Sequence, residues 1–535
     1  MNGADIVAEA LVRSGVDTLF GIPGLYNMAL FDAARRHPGL DVVAVRHEQG
    51  ATFMADGYGR ATGRPAAVSL LPGCGVTNGL TGILQASSCS VPMVVLAAQI
   101  ASPDIDREQG HLHELTGQTG TLAGMCKTTH RPRTAGDLAA QVQQAVVDAR
   151  TGRPRPVQVE LPVDVLQLSA GVDFPAAAEP AAPAIDPTRI TAIAAGLASA
   201  EHPLLYAGGG VNTARANEEL RRLAELLGAP VLVTGNGAGA LSSDHELFAG
   251  VPWVAAGSIE PLVGSCDAFL AVGTRLDPAM CNMWDLPLPE LTVRIDIDAD
   301  ELGRNIEMAH LVHADARDAL GALADAVAVT GHAASGPSGR LASALSDYRA
   351  HQSSLVGEAA PWMHALRGAL HDEDIVVADM CLMWADMLHR FPVREPGTVM
   401  FPWSLGTLGY GVPAAIGAKL ASPDKQVLSI VGDGAFLFTG AELSVAVERR
   451  LPIPFIVSNN NAYGMIRMQQ IEQFGSPSAV DLVNPDFVLL GEAYGASACR
   501  LDTPEELRLE LKRAFDRDVP TLIEIPWRSE FTVAR

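Results

Sequence analysis

The sequence predicts an α/β protein built from three doubly wound parallel-sheet domains. Three observations carry this reading. Short apolar runs of strand length, such as Val91 to Ala98 and Val427 to Val431, alternate along the chain with segments of helical periodicity. Turns rich in glycine follow the apolar runs, as at strand-to-helix corners. Two stretches rich in Ala, Pro, Gly or Ser, residues 169–188 and 331–340, have linker composition. They divide the 535 residues, too many for one core, into segments 1–168, 189–330 and 341–535.

Composition narrows the class of function. Hydrophobic residues make up 48% and charged residues 19%, a well-buried globular balance. The net charge of −23, spread along the chain, argues against nucleic acid or an anionic membrane as partner. The seven cysteines show no CxxC pair, which predicts reduced thiols rather than a disulfide frame or a zinc site. No basic region followed by a long apolar run marks a signal peptide, and the apolar runs fall short of the ~18 residues a membrane span needs. A cytoplasmic protein without membrane contact is the expectation.

The first segment opens with a helix over 5–14, with Ile6, Val7, Ala10 and Leu11 on one face and Gly15 as its stop. A strand, Val16 to Phe20, leads into the turn Gly21-Ile22-Pro23-Gly24. The strand Val42 to Val45 ends in Arg46-His47-Glu48-Gln49-Gly50, before a helix over 51–62. Glu48 therefore stands at a strand end and a helix start, where a carboxylate also suits the helix dipole. The strand Ala67 to Leu71 runs into Pro72-Gly73-Cys74-Gly75-Val76-Thr77-Asn78-Gly79, a glycine turn that misses the dinucleotide spacing. A strand at 92–98, a loop carrying His111 and His113, a helix over 135–150 and a strand at 157–161 complete the segment.

In the second segment, strands at 204–207, 231–234, 268–272 and 293–298 alternate with a helix over 216–227. Gly208-Gly209-Gly210 reads as a tight strand-to-helix turn. In the third, helices are expected at 362–370, 413–420, 441–448, 488–494 and 504–517, and strands at 375–378 and 521–525. The strand from Val427 ends in Gly432-Asp433-Gly434-Ala435, and the strand from Phe455 ends in Asn459-Asn460-Asn461-Ala462-Tyr463-Gly464. Open α/β sheets bind ligands at this carboxyl edge. Magnesium prefers oxygen ligands, which Asp433, the Asn460 amide and the Ala462 carbonyl supply. Gly432 and Gly434 let backbone N–H groups approach a phosphate, and the helix starting near Thr439 adds its dipole.

This pair of strand ends resembles the metal- and diphosphate-binding motif of thiamine diphosphate enzymes. Nearly the whole chain is similar to the acetolactate synthase and 2-oxo acid decarboxylase superfamily. The resemblance implies thiamine diphosphate and Mg2+ as cofactors. It makes Glu48, followed by Ala55-Asp56-Gly57-Tyr58-Gly59-Arg60, the partner of N1′ on the aminopyrimidine. The turns carrying Pro23 and Asn78 lie against the cofactor, and Leu408 is the wedge between its two rings. Gly432, Gly434 and Ala435, with Met380 and Cys381 opposite, cradle the diphosphate. Gly464 and Met465 complete the cofactor site, and Met465, Met468, Gln469 and Glu472 follow the metal turn on a helix towards the substrate.

Three departures refine the expectation. Cys74 stands where the family's turn usually has proline. Leu112-His113-Glu114 replaces the Phe-Gln-Glu of acetolactate synthases and looks like the guanidino-2-oxopentanoate decarboxylase branch, with His113 as a proton relay. The flavin-type segment is missing at Leu247 to Trp253, so FAD is not expected. The resemblance implies decarboxylation of a 2-oxo acid with release of an aldehyde, or transfer of the acyl unit to a second carbonyl. The alternative is acetolactate synthase-type carboligation. Glu48 and Asp433 lie in different segments, and in the family they meet across a dimer interface, which implies a homodimer or homotetramer. A dehydrogenase reading lacks an exact fingerprint and leaves Glu48, Asp433 and Asn460 without a role. A non-catalytic scaffold would not need them.

Overall fold

The structure, a computed structural model, describes residues 1–252, 259–332, 336–355, 359–388 and 390–527. Trp253 and residues 333–335 of the second linker lie outside the described residues.

Among the described residues, eighteen strands form three six-stranded sheets, and every pairing within them is parallel. The first contains β1 (Thr18–Gly21), β2 (Asp41–Ala44), β3 (Ala66–Leu70), β4 (Met93–Gln99), β5 (Thr129–His130) and β6 (Pro156–Pro162). The second contains β7 (Pro203–Ala207), β8 (Val231–Val233), β9 (Phe248–Gly250), β10 (Ala268–Val272), β11 (Leu291–Asp296) and β12 (His310–His313). The third contains β13 (Ile375–Ala378), β14 (Val399–Met400), β15 (Val427–Gly432), β16 (Pro454–Asn459), β17 (Ser497–Arg500) and β18 (Thr521–Pro526). The first sheet runs β2-β1-β3-β4-β6-β5 and the third β14-β13-β15-β16-β18-β17, the same order. The chain reverses its direction of travel between β1 and β3 and between β13 and β15, the places where such sheets open a ligand crevice.

Alternation along the strands explains why they read as continuous apolar runs. Val94 and Leu96 of β4 enter one core while Met93, Val95 and Ala97 enter another on the opposite face. Leu428 and Ile430 of β15 likewise part from Val427 and Val431. Both faces are buried, so both parities must be apolar.

One core is shared by the first and third domains. At its centre the helix Glu48–Thr62 crosses the helix Gly411–Ala421 with glycines at the contact. A Cβ on Gly57 would stand 2.1 Å from the Ala414 carbonyl oxygen, and one on Gly417 would stand 1.9 Å from that of Met54. The obstacles are backbone atoms, so the helices must part to admit a side chain. Gly417→Val is expected to destabilise the protein by roughly 3 kcal/mol or more, the upper range for overpacking. Thermal unfolding should show the first and third domains losing stability together.

Several boundaries differ from the sequence reading. The helix expected from Ala51 begins at Glu48 instead, because His47 is an extended N-cap whose Nδ1 accepts the Gln49 N–H at 3.1 Å. The turn expected at 72–79 is a helix from its third residue onward, Cys74–Ser88. Its glycines disguised the helical periodicity. The dipole expected from a helix near Thr439 belongs instead to Asp433–Thr439, which starts directly from β15. Residues 339–354, assigned by sequence to the end of the linker and the third domain, form a helix. Its Leu341, Leu345 and Tyr348 lie in a core of the middle domain.

Candidate active site

At the carboxyl edge of the first sheet, four of the predicted residues converge. Glu48 takes the first helical position after β2 and is 6% exposed, with its Oε2 accepting the Asn78 Nδ2 hydrogen at 3.0 Å. Asn78 lies on the second turn of Cys74–Ser88 and is exposed. The exposed Pro23 sits in a turn shaped by buried Asn27, whose Oδ1 accepts the Gly24 N–H at 2.7 Å and whose Nδ2 donates to the Ile22 carbonyl at 3.1 Å. His113 is half-buried, with its Nδ1 3.1 Å from Cys74 Sγ and its ring edge-on to Tyr26. His111, not part of this cluster, lies 3.5 Å from Asp104.

A residue overlooked in the sequence supports Glu48 from behind. Glu442, in the third domain, is fully buried, and its Oε1 accepts the backbone N–H groups of Arg46 at 3.1 Å and His47 at 2.9 Å. Burial pushes its carboxyl up to about 7, and the nearby Glu48 charge adds to the rise. The third domain thereby fixes the strand-to-helix corner that presents Glu48.

At the matching edge of the third sheet, Gly432 is the N-cap and Asp433 the first residue of the helix Asp433–Thr439. Asp433 is 2% exposed, and its Oδ2 accepts the Asn484 Nδ2 hydrogen at 2.7 Å. Asn484 Nδ2 also lies 3.1 Å from Asn459 Oδ1 and 3.2 Å from Asn461 Oδ1. The segment around 480–484 clasps the metal turn: Tyr463 N–H donates to the Val480 carbonyl and Leu482 N–H to that of Asn461, both at 2.8 Å. Asn460 Oδ1 accepts the Ala462 N–H at 3.2 Å, holding the turn closed. Burial pushes the Asp433 carboxyl up, against hydrogen bonds from Asn484, Gly434 and Ala462. A cation at this place reverses that balance.

A cavity of about 800 Å³ opens over this edge. Its walls include the third-domain residues predicted to hold the cofactor and metal: Leu408, Gly432, Asp433, Gly434, Ala435, Asn460, Ala462, Gly464 and Met465. Met380, Cys381 and Gln469 also line it, whereas Met468 joins the hydrophobic core and Glu472 is not part of the lining. Asp379 escaped the sequence reading. It is fully buried at the end of β13, and its carboxylate accepts the N–H groups of Met380 at 2.7 Å and Gly411 at 2.8 Å. Burial holds this carboxyl up at about 6. Among the described residues, none from the first domain lines the cavity.

The donor set fits a magnesium diphosphate. One carboxylate, one amide oxygen and one carbonyl suit a hard cation that keeps water and phosphate as its other ligands. The cradle is closed to side chains: a Cβ on Gly434 would stand 2.7 Å from the Tyr463 ring, and one on Gly464 2.3 Å from Asn460 Nδ2.

Two equivalent sheet edges, one presenting a carboxylate and an amide and the other an oxygen-lined turn under a cavity, define an enzyme that holds a metal-bound diphosphate cofactor. Comparison with known proteins narrows that class. Residues 1–120 match the thiamine pyrophosphate enzyme N-terminal TPP binding domain, 190–323 its central domain and 380–525 its C-terminal TPP binding domain. The chain is 35% identical to a probable 2-ketoarginine decarboxylase (AruI) of Pseudomonas aeruginosa, covering 98% of this chain and 94% of that one. It is 31% identical to the acetolactate synthase large subunit of Lactococcus lactis, over 98% and 92%. With the acetolactate synthase isozyme 3 large subunit of Escherichia coli it shares 29%, over 97% and 92%. The chain belongs to the thiamine pyrophosphate (thiamine diphosphate) enzyme family.

Proposed function

We propose that the protein decarboxylates a 2-oxo acid with thiamine diphosphate and Mg2+, releasing an aldehyde or passing the acyl unit to a second carbonyl. The observation that carries this reading is the pair of sheet edges, Glu48 with Asn78 on one and Asp433, Asn460 and Ala462 on the other. When bound, the cofactor supplies the electron sink for the departing carboxyl group. In this reading Glu48 holds a proton at N1′, Asn78 orients the Glu48 carboxylate, and Leu408 sets the angle between the rings. His113 moves a proton near the reacting centre. Gly432, Gly434, Ala435, Gly464 and Met465 shape the cradle and the cavity wall, and Pro23 closes the pyrimidine side. The reading needs no flavin.

Among the described residues the cavity lacks any from the first domain, so the reading requires a second chain to bring Glu48. A homodimer, or a tetramer made of two such dimers, satisfies it. Exposed apolar side chains on both halves support this: Leu25, Met28 and Leu112 in the first domain, and Phe438, Ile466 and Phe474 in the third. Burying such surface is the usual drive for association.

The lining also bears on the substrate. Leu382, Ala385, Leu388, Phe401 and Ile466 are apolar, Gln469 and Gln470 offer amides, and among the described residues Asp433 is the only carboxylate in the lining. This is the wall one chain supplies, and in this reading the second chain completes the pocket around the substrate side chain. The test is carbon dioxide release from a panel of 2-oxo acids with neutral and guanidinium side chains, with and without thiamine diphosphate and Mg2+. Aldehyde and acyloin analysis of the same mixtures separates the two outcomes. Cofactor-independent release, or no release from any member, overturns the proposal.

A further inference from the structure

The residue by which the turn at 72–79 departs from its family is the one in contact with His113. Cys74 is the first residue of Cys74–Ser88, follows Gly73 in a left-handed conformation (φ +56), and carries an exposed thiol. A Cβ on Gly73 would stand 2.6 Å from the His113 carbonyl oxygen, so the backbone at 113 lies directly against this turn. His113 itself has φ +63, a conformation disfavoured for a residue with a side chain. The loop before it is held by Glu114, whose carboxylate accepts N–H groups from Gly110 at 2.7 Å and His111 at 2.9 Å. The Tyr26 ring stands edge-on to the imidazole, with centroids 6.1 Å apart and planes at 79°. Backbone, sulfur and ring thus constrain this residue from three directions, and among the described residues the sulfur is what touches a ring nitrogen, Nδ1 at 3.1 Å.

We infer that Cys74 is a positioning residue that sets the tautomer and orientation of His113. A neutral imidazole carries one N–H, and a thiol carries one weak S–H donor. When the Cys74 S–H donates to Nδ1, the ring proton resides on Nε2. The group then presents a single N–H, directed away from the sulfur. Without the thiol, both tautomers are open to the ring and its outward nitrogen is a donor only part of the time. A hydrogen bond on one nitrogen deciding what the other can do is the general logic of histidine function. The step forms and breaks no covalent bond. Its consequence for turnover rests on the proposal above that His113 faces the reacting centre.

The experiment combines an activity readout with one that needs no turnover. Cys74→Ala is expected to lower kcat about tenfold with KM within about threefold, the scale of lost support to a proton-transferring group. Cys74→Ser, which keeps an O–H donor, should recover most of the loss. Adding Cys74→Ala to His113→Ala should cost nothing further. Separately, alkylation of Cys74 by iodoacetamide, followed by mass spectrometry on the cofactor-free protein, should slow severalfold in His113→Ala, because the imidazole is the base that shares the thiol proton. Equal alkylation rates, multiplying effects in the double variant, or a serine variant as poor as alanine overturn the inference. If alkylation remains coupled while His113→Ala turns over normally, the thiol–imidazole contact stands and the role of His113 in the reaction falls.

Discussion

Glu48→Gln is expected to keep the fold and the cofactor affinity while lowering turnover by about 10²–10⁴, the range for losing a positioned proton-transfer group. The substitution is nearly isosteric, and the Gln amide oxygen still accepts the Asn78 N–H now bound to Oε2 at 3.0 Å. Behind it, Glu442 continues to accept the Arg46 and His47 N–H groups, so the corner keeps its shape. What disappears is a carboxyl able to exchange a proton with N1′. Cofactor binding followed by protein fluorescence, alongside steady-state rates, separates the two effects. A variant with wild-type turnover would sink the assignment of Glu48. One that no longer binds cofactor would make Glu48 a structural residue instead.

The placement of Glu48 between a strand end and a helix start was legible because the signal was local, an apolar run and a sharp corner within ten residues, whereas its role came from the resemblance. The same holds for Asp433 and Asn460, each at the end of a strand buried on both faces. What stayed hidden was long-range. Glu442 meets Arg46 from nearly 400 positions away, with |i−j| of 396. Nothing within its own segment distinguishes it from a surface glutamate on a helix. Asn484 lies 51 positions beyond Asp433, in a run without periodicity that gives no sign it will fold back over the metal turn. The Cys74–His113 contact spans 39 positions and joins a helix start to a loop, two elements whose relative placement no pattern encodes. The shared strand order of the first and third sheets was similarly invisible. Topology is conserved through burial and crossover geometry, which tolerate different side chains.

Asp433→Asn is expected to remove cofactor binding rather than slow the chemistry. Residues that merely support a metal ligand cost about 10–100-fold in affinity when lost, so replacing the carboxylate itself is expected to cost about 100-fold or more. Asn484→Ala, which frees Asp433 Oδ2 from its 2.7 Å partner, should fall within that lower range. The stability effect runs the other way. Burial raises the Asp433 carboxyl despite its hydrogen bonds, so folding without cofactor buries a charge that asparagine does not carry. The cofactor-free Asn variant should therefore melt no lower than the cofactor-free parent, yet gain no melting temperature when thiamine diphosphate and Mg2+ are added. Calorimetry with and without the cofactor checks both statements. The two impaired variants also test the shared site directly. If Glu48 of one chain serves Asp433 of another, co-expressing Glu48→Gln with Asp433→Asn produces mixed dimers in which one site is intact and the other doubly altered. Activity should rise well above that of either variant alone. Its failure to rise in verified mixed dimers would place both residues in a site within one chain.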